Sequence, residues 1–257
     1  MKKIFHALVV VLLLALAVYL LIPVYIDKYY NDPGAVNARN AKKDAKAYMN
    51  TIDEFKRVKH EEDTTIVLIN PAYGGDEDGE VCRYFAEKDI LLEVAQKVAG
   101  AMAKSEDVKV YLMRSGDNTL SKEQRMTLTE ILNPDIYIEF ELAKDVDAEV
   151  FGLSADYYGG YYDYRLPGSR LADTLVTEAS VSTENVITGI NDNPQLTPLA
   201  VNDRIIPATR VYLGYISSDK ECNALTSDKY TDNLANGLAN GIERAVKIYK
   251  NEDEAKQ

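Results

Sequence analysis

The chain has 257 residues, of which 46% are apolar, so it can bury one good core with some length left over. Its 41 acidic and 29 basic side chains give a net charge of −12. This charge argues against nucleic-acid binding, because phosphate contacts need clustered cations, and it also argues against electrostatic adhesion to anionic lipid.

The N-terminus is the most apolar part of the chain. The run Ile4–Ile26 is long enough to span a bilayer as a helix, which needs about 20 residues. Lys2 and Lys3 precede it, so the positive-inside rule keeps the N-terminus in the cytoplasm. We expect residues 1–26 to be an uncleaved transmembrane anchor, with the rest of the chain outside the cytoplasm. The alternative is a cleaved signal peptide that ends near the small residues of 15–17.

Residues 27–63 are polar and charged. Within them Tyr48, Ile52 and Phe55 are spaced by four and three residues, which is the spacing of one helix face. We therefore expect a weakly amphipathic stalk or linker helix that covers an edge of the following domain. A solvated linker is the alternative.

The region 64–250 alternates between strand and helix patterns. It opens with the apolar run Ile66–Ile69, which is followed by a proline and then by a glycine pair. This pattern is typical of a buried strand that leads into a tight loop. Further strands are expected over 108–113, 136–142 and 210–215, and helices over 87–104, 121–131, 169–181 and 228–250. This alternation predicts an α/β fold with a mostly parallel sheet flanked by helices, and sites at the carboxyl ends of the strands. Residues 251–257 form a polar tail.

The chain has two cysteines and two histidines. Cys82 and Cys222 lack the spacing of a metal site, so they are either one structural disulfide, if the domain lies outside the cytoplasm, or two buried thiols. His6 and His60 both precede the region 64–250, which therefore contains no histidine. A zinc site built on histidine ligands is excluded there.

A tyrosine-rich segment, 150–168, departs from the strand–helix alternation. It carries Tyr157, Tyr158, Tyr161 and Tyr162 around a glycine pair. Aromatic faces bind glycans and other apolar planes, so these rings are candidate glycan or partner contacts. The alternative is a loop pinned by its own rings.

Five segments follow one another in an order found in a known family. They are Asn70–Gly75, Glu87–Asp89, Arg114–Arg125, Pro134–Glu141 and Pro207–Ser218. Through them the region 64–250 resembles the zinc-dependent N-acetylmuramoyl-L-alanine amidases (amidase type 3) of bacterial cell walls, whose first segment reads Asp-Pro-Gly-His-Gly-Gly. The resemblance implies the family's fold over the whole region. In that fold the loops holding Cys82 and Cys222 border the site, which favours a disulfide.

The resemblance also assigns four functional positions. The family's zinc ligands fall on Tyr73, Glu87 and Glu141, and its general base falls on Tyr212, so only the Glu87 position keeps the family's residue. A zinc hydrolase needs three ligands, a metal-bound water and a carboxylate base. A phenol, with a pKa of about 10, is a poor ligand and cannot be the base at neutral pH. With this set of residues, the resemblance implies that the domain binds no zinc or other cofactor. It also leaves no residue that can be named as catalytic.

The two carboxylates leave several alternatives open. Glu87 and Glu141 could hold a hard cation, share a proton, or pair with a nearby Lys or Arg. Glu87 could also only charge the first turn of its helix, and Glu141 could simply be solvated. Tyr73 and Tyr212 could pack together and fill the site.

These expectations combine in a membrane-anchored, extracytoplasmic amidase-like domain, a single-pass protein of the bacterial cytoplasmic membrane. We expect a pseudoenzyme that binds peptidoglycan, or a wall-remodelling protein, and that binds no nucleic acid. One alternative is an active cell-wall amide hydrolase, an N-acetylmuramoyl-L-alanine amidase with an altered metal or acid–base site. Another is a structural domain that recruits a partner through its tyrosine-rich face.

Overall fold

A computed structural model of the chain describes residues 2–26, 31–160, 165–196 and 199–250, and it divides into two units, 1–46 and 47–257. The first unit contains helix α1 (Lys2–Ile26) and the start of helix α2 (Pro33–Phe55). Among the residues that the structure describes, no helix combines the length and the apolar character that crossing a membrane requires. The predicted transmembrane anchor, residues 1–26, is not supported by this finding and stays a prediction from the sequence.

The second unit is built around a central sheet. After the end of α2 its elements in chain order are β1 (Thr65–Pro71), β2 (Val81–Cys82), β3 (Phe85–Ala86), α3 (Glu87–Met102), β4 (Val108–Leu112), α4 (Lys122–Leu132), β5 (Ile136–Ala143), β6 (Leu153–Tyr157), α5 (Gly168–Thr183), β7 (Ile187–Asp192), β8 (Ala200–Val201), β9 (Arg204–Ile205), β10 (Ala208–Tyr215), α6 (Asp219–Leu225) and α7 (Asp228–Tyr249). Within the described ranges the sheet has six strands in the order β4-β1-β5-β10-β6-β7. Neighbours are parallel except for the antiparallel pair β10 and β6, which confirms the predicted mostly parallel α/β fold.

The two faces of the sheet are covered differently. One face, which includes Val67 and Ile69 of β1, packs in a large core with α3, α5 and α7. The other face, which includes Leu68, packs in a smaller core with α4 and the end of α2. Ile52 and Phe55 of α2 are buried in this smaller core, as the spacing of the apolar residues indicates.

Two strands of the central sheet, the four two-residue strands β2, β3, β8 and β9, and one helix were not predicted from the sequence. β6 lies in the tyrosine-rich segment and pairs antiparallel with β10, so it breaks the strand–helix alternation. β7 is an edge strand whose residues are all exposed or half-buried, so it lacks an apolar run. α6 has only seven residues, which is too short for a helical repeat to stand out.

Candidate functional site

The loop after β1 has a backbone conformation that favours glycine. Gly74 and Gly75 have φ angles of 134° and 59°, and a Cβ atom at Gly74 would clash with the backbone of Asn118. Tyr73, just before them, has a φ of 61°, which side-chain-bearing residues rarely adopt. The backbone conformation of the loop therefore depends on these glycines, and it fixes the position of Tyr73.

The buried guanidinium of Arg114 holds this loop in position through hydrogen bonds. Its side chain is 1% exposed, and it donates to the carbonyl oxygens of Pro71 (3.2 Å), Ala72 (2.9 Å) and Lys88 (2.8 Å). These carbonyls belong to the last residue of β1, to the first residue of the loop after it and to the first turn of α3. Arg114 thus fixes the position of Tyr73 relative to Glu87, which begins α3.

Both carboxylate oxygens of Glu87 are occupied by backbone donors. Oε1 accepts the N–H of Leu142 at 2.8 Å, Oε2 accepts the N–H of Glu80 at 3.1 Å, and the residue is 2% exposed. Burial raises the pKa of Glu87, although the two N–H groups oppose this. Glu87 therefore ties the start of α3 to the end of β5 and to the preceding loop.

Arg210 of β10 lies between two glutamates of β5. Its Nε and Nη2 are 3.1 and 3.0 Å from Oε2 of Glu139, and Nε is 3.4 Å from Oε2 of Glu141. Burial disfavours the charged guanidinium, but the two carboxylates outweigh it and raise the pKa of Arg210. Arg210 is therefore a permanent cation, and Glu141 takes the ion-pairing alternative among those that the sequence leaves open.

A row of polar side chains crosses the sheet through this ion pair. The register places five residues side by side on neighbouring strands, Asn70, Glu139, Arg210, Asp156 and Asn191. Asn70 donates to Oε1 of Glu139 (3.1 Å), and Asn191 donates to Oδ1 of Asp156 (3.3 Å). Hydrogen bonds therefore link Asn70, Glu139 and Arg210 on one side of the row, and Asn191 and Asp156 on the other.

The two tyrosines at family positions both remain protonated at neutral pH. Burial, followed by the negative charge of Glu87, raises the pKa of Tyr73. Burial also raises the pKa of Tyr212, whose hydroxyl donates to Oδ2 of Asp156 at 3.3 Å. Tyr212 therefore serves as a hydrogen-bond donor here, and its chemistry does not suit a general base.

Zinc does not fit this set of donors. Tyr73 is a protonated phenol, Glu87 has both oxygens engaged by N–H groups, and Glu141 faces a fixed guanidinium. Zinc binds deprotonated ligands with free lone pairs, and a neighbouring permanent cation repels it. Within the described part of the chain, no group of three His, Cys, Asp or Glu residues is placed to hold a metal ion.

A cavity of about 290 Å³ adjoins the ion pair. Tyr137, Glu139 and Arg210 line it from the sheet, and Tyr158 and Lys122 add further polar groups. Its apolar lining residues are Leu166, Leu196, Leu199, Ile205, Ile206, Pro207 and Ala208. A largely apolar cavity with a few polar groups is the usual form of a small-ligand site.

Two members of the predicted tyrosine cluster lie in the described residues, and they have different surroundings. Tyr157 ends β6 and packs against the large core, whereas Tyr158 lines the cavity. Tyr161 and Tyr162 lie outside the described residues. Tyr158 is therefore the described member that lies at the cavity, and the role of the cluster as glycan or partner contacts stays a prediction.

Cys82 and Cys222 form a disulfide that links β2 to α6. Their Cα atoms are 5.6 Å apart, and 140 residues separate them in the sequence. Glu80 and Glu87 lie on either side of Cys82 in the chain. The disulfide thus holds the short β2–β3 hairpin beside Glu87.

A neutral side chain at position 141 is expected to raise stability at alkaline pH. Burial, opposed by Arg210 and reinforced by Glu139, raises the pKa of Glu141 from 4.5 to about 7. Between these values the folded chain holds a proton that the unfolded chain has released, so stability falls as the pH rises through 7. Glu141→Gln should therefore gain about 2 kcal/mol at pH 8.5, after allowance for partial exposure, and nothing near pH 4.5.

Urea unfolding at the two pH values measures this difference. The matched change at Glu243, which is exposed on α7, should be neutral at both pH values. A gain for Glu141→Gln that does not depend on pH would contradict the role given to its carboxyl.

Sequence reasoning missed Glu139, Arg210 and Asp156, which carry most of the charge of the site. A signal for two of them was present, because polar residues alternate with apolar ones in β5 and β10. Such alternation marks a half-solvated strand face. It does not reveal which strands are neighbours, and that order brings the three residues together.

Comparisons with known proteins agree with this architecture. The sequence model of the family described as N-acetylmuramoyl-L-alanine amidase matches residues 67–244. The germination-specific N-acetylmuramoyl-L-alanine amidase of Bacillus subtilis is 25% identical over 195 residues, which cover 70% of this chain and 78% of that protein.

Two solved structures share the fold. The catalytic domain of the amidase CwlV from Bacillus (Paenibacillus) polymyxa has a TM-score of 0.62 at 22% identity, with 72% of this chain and 99% of that chain covered. The CwlD amidase of Clostridioides difficile, solved in complex with the GerS lipoprotein, has a TM-score of 0.61 at 20% identity, with 72% and 100% covered. Because the family model spans more than half of its length, the chain belongs to the N-acetylmuramoyl-L-alanine amidase family as an amidase-like cell-wall domain.

Proposed function

We propose that this domain is a catalytically inactive member of the amidase family that binds peptidoglycan or a cell-wall remodelling protein. The observation that carries the proposal is the state of the family's metal-ligand positions. Tyr73 is a protonated phenol, Glu87 is used by two backbone N–H groups, and Glu141 lies beside Arg210. A water nucleophile would have neither a metal to activate it nor, at Tyr212, a base to deprotonate it.

The cavity beside Arg210 is the place where we expect a wall fragment to bind. It combines an apolar lining with the phenols of Tyr137 and Tyr158 and with the charges of Glu139 and Arg210. Aromatic rings and a few directed polar groups are suited to sugar and peptide recognition. The complex of CwlD with a lipoprotein supports a protein as the alternative partner.

Sedimentation of the purified full-length protein with insoluble peptidoglycan tests the binding. Leu199→Trp, which would fill the cavity, is expected to lower retention by about tenfold, equivalent to ~1.4 kcal/mol. Val181→Trp adds the same side chain at an exposed site on α5 and should leave retention unchanged. Equal retention of all three proteins would refute binding at the cavity, and a pull-down from wall extracts would then test the protein partner.

An active hydrolase with an acid–base site is the second candidate, and one observation favours it. A half-buried carboxyl with a pKa of about 7, such as Glu141, is suited to proton transfer at neutral pH. Release of peptide from purified peptidoglycan, with and without added Zn²⁺, decides between the two candidates. We expect no release, whereas release that is lost in Glu141→Gln would establish the hydrolase.

We also propose, from the sequence alone, that residues 1–26 hold the domain at the outer side of the bacterial cytoplasmic membrane. The apolar run Ile4–Ile26 and the preceding lysines support this placement. Protease treatment of intact protoplasts should then degrade the region 64–250. Protection from the protease, together with recovery in the soluble fraction, would refute it.

A further inference from the structure

Arg210 lies between two strands that both carry carboxylates. In the register of the sheet it lies opposite Glu139 of β5 on one side and Asp156 of β6 on the other. Glu141, two residues further along β5, contacts its Nε as well. One guanidinium therefore contacts two glutamates, and a third acidic side chain, Asp156, lies beside it in the register of the sheet.

These acidic groups are shielded from solvent. The side chains of Glu139 and Glu141 are 22% and 20% exposed, and Asp156 is buried at 9%. Carboxylates in such a place are costly unless a positive charge compensates them. Asn70, Asn191 and Asn193 give hydrogen bonds to this group, but they bring no charge.

A divalent cation is the other group that could compensate these carboxylates. Ions such as Mn²⁺ and Ca²⁺ prefer oxygen ligands, and carboxylates are their usual protein ligands. A guanidinium within 3.4 Å of both glutamates, however, engages Oε2 of each carboxylate and repels any cation that approaches.

We propose that Arg210 is a built-in counter-ion that excludes divalent cations from this site, so that removal of its charge would create a cation site at Glu139 and Glu141. These residues are then unsuited to the family's zinc chemistry for two reasons. The histidine ligands are missing, and a fixed positive charge lies at the site. The inference concerns cation binding and does not depend on whether the domain binds peptidoglycan.

Thermal unfolding of the purified full-length protein with 5 mM Mn²⁺ or Ca²⁺ tests the proposal. In Arg210→Met, which keeps the bulk of the side chain without its charge, we expect each ion to raise Tm by about 3 °C. The wild type should respond by less than about 1 °C. Arg210→Lys, which keeps the charge, should behave like the wild type.

Arg204→Met is the matched control. Arg204 pairs with Asp135 at 3.1 Å on the same domain, and within the described ranges this is its one ion pair. Its removal should destabilise the protein without any response to the ions. Adding Glu141→Gln to Arg210→Met should abolish the gained response.

Two results would overturn the proposal. One is a wild type that binds Mn²⁺, Ca²⁺ or Zn²⁺ stoichiometrically after dialysis, which can be measured whether or not the variants fold. The other is an Arg210→Met variant that folds but gains no response. Arg210→Gln, which is neutral but retains hydrogen-bond donors, repeats the comparison if Arg210→Met does not fold.

Discussion

Replacement of Arg114 by Met is expected to destabilise the domain by about 4 kcal/mol. Arg114 is buried and donates to backbone carbonyls of Pro71, Ala72, Lys88 and Gly116. Methionine fills similar space but donates no hydrogen bond, so the carbonyls of Pro71 and Ala72 lose this donor, whereas the carbonyl of Gly116 keeps the N–H of Asn118. Each buried acceptor that loses its partner costs about 1–3 kcal/mol, and partial relaxation of the loop reduces the sum.

Two further variants make the test specific. Arg244→Met removes a half-exposed arginine that pairs with Glu178 at 2.9 Å, and it should cost less than about 1 kcal/mol. Arg114→Lys keeps the charge, but a single ammonium group cannot reach all the carbonyls, so it should recover only part of the loss. Urea unfolding measures all three. A cost for Arg114→Met no larger than that for Arg244→Met would mean that the loop does not depend on this side chain.

Arg114 shows which features of the fold can be predicted from the sequence and which cannot. The segment Arg114–Arg125 contributes to the family resemblance, and the apolar run Ile66–Ile69 predicts the strand that precedes the loop. These features are local, because an apolar run and a glycine pair determine a strand and a turn from neighbouring residues. The contact between Arg114 and the carbonyl of Pro71 joins residues 43 positions apart, and no local pattern specifies it.

The same limit explains why the charged centre of the site was missed. Glu139 and Arg210 are 71 residues apart, and they meet because β10 lies next to β5. Asp156 joins them because β6 inserts antiparallel beside β10, in a segment where the strand–helix alternation fails. Sequence patterns predict strands, whereas the chemistry of this site depends on their order. The positions Glu87 and Glu141 were found only because a family resemblance carries information on that order.

Glu87 offers the clearest separation between a structural role and an inherited functional one. Glu87→Ala is expected to destabilise the domain by about 3 kcal/mol, because it leaves the buried N–H of Leu142 and the partly buried N–H of Glu80 without acceptors. A residue kept for metal binding or catalysis commonly has the opposite effect, since functional groups are often strained and their removal raises stability. The sign of the change in the free energy of unfolding is therefore informative, and it requires no assay of activity.

Glu80→Ala is the control for this change. Its side chain is about half exposed and, among the residues that the structure describes, forms an ion pair with Lys144 alone, while its backbone N–H remains available to Glu87. We expect this variant to cost less than about 0.5 kcal/mol. If Glu87→Ala is as stable as Glu80→Ala or more so, the two backbone hydrogen bonds do not account for this glutamate, and a functional role for its carboxyl gains support. If only Glu87→Ala is destabilised, the one family ligand position that keeps its residue does so because the fold uses it.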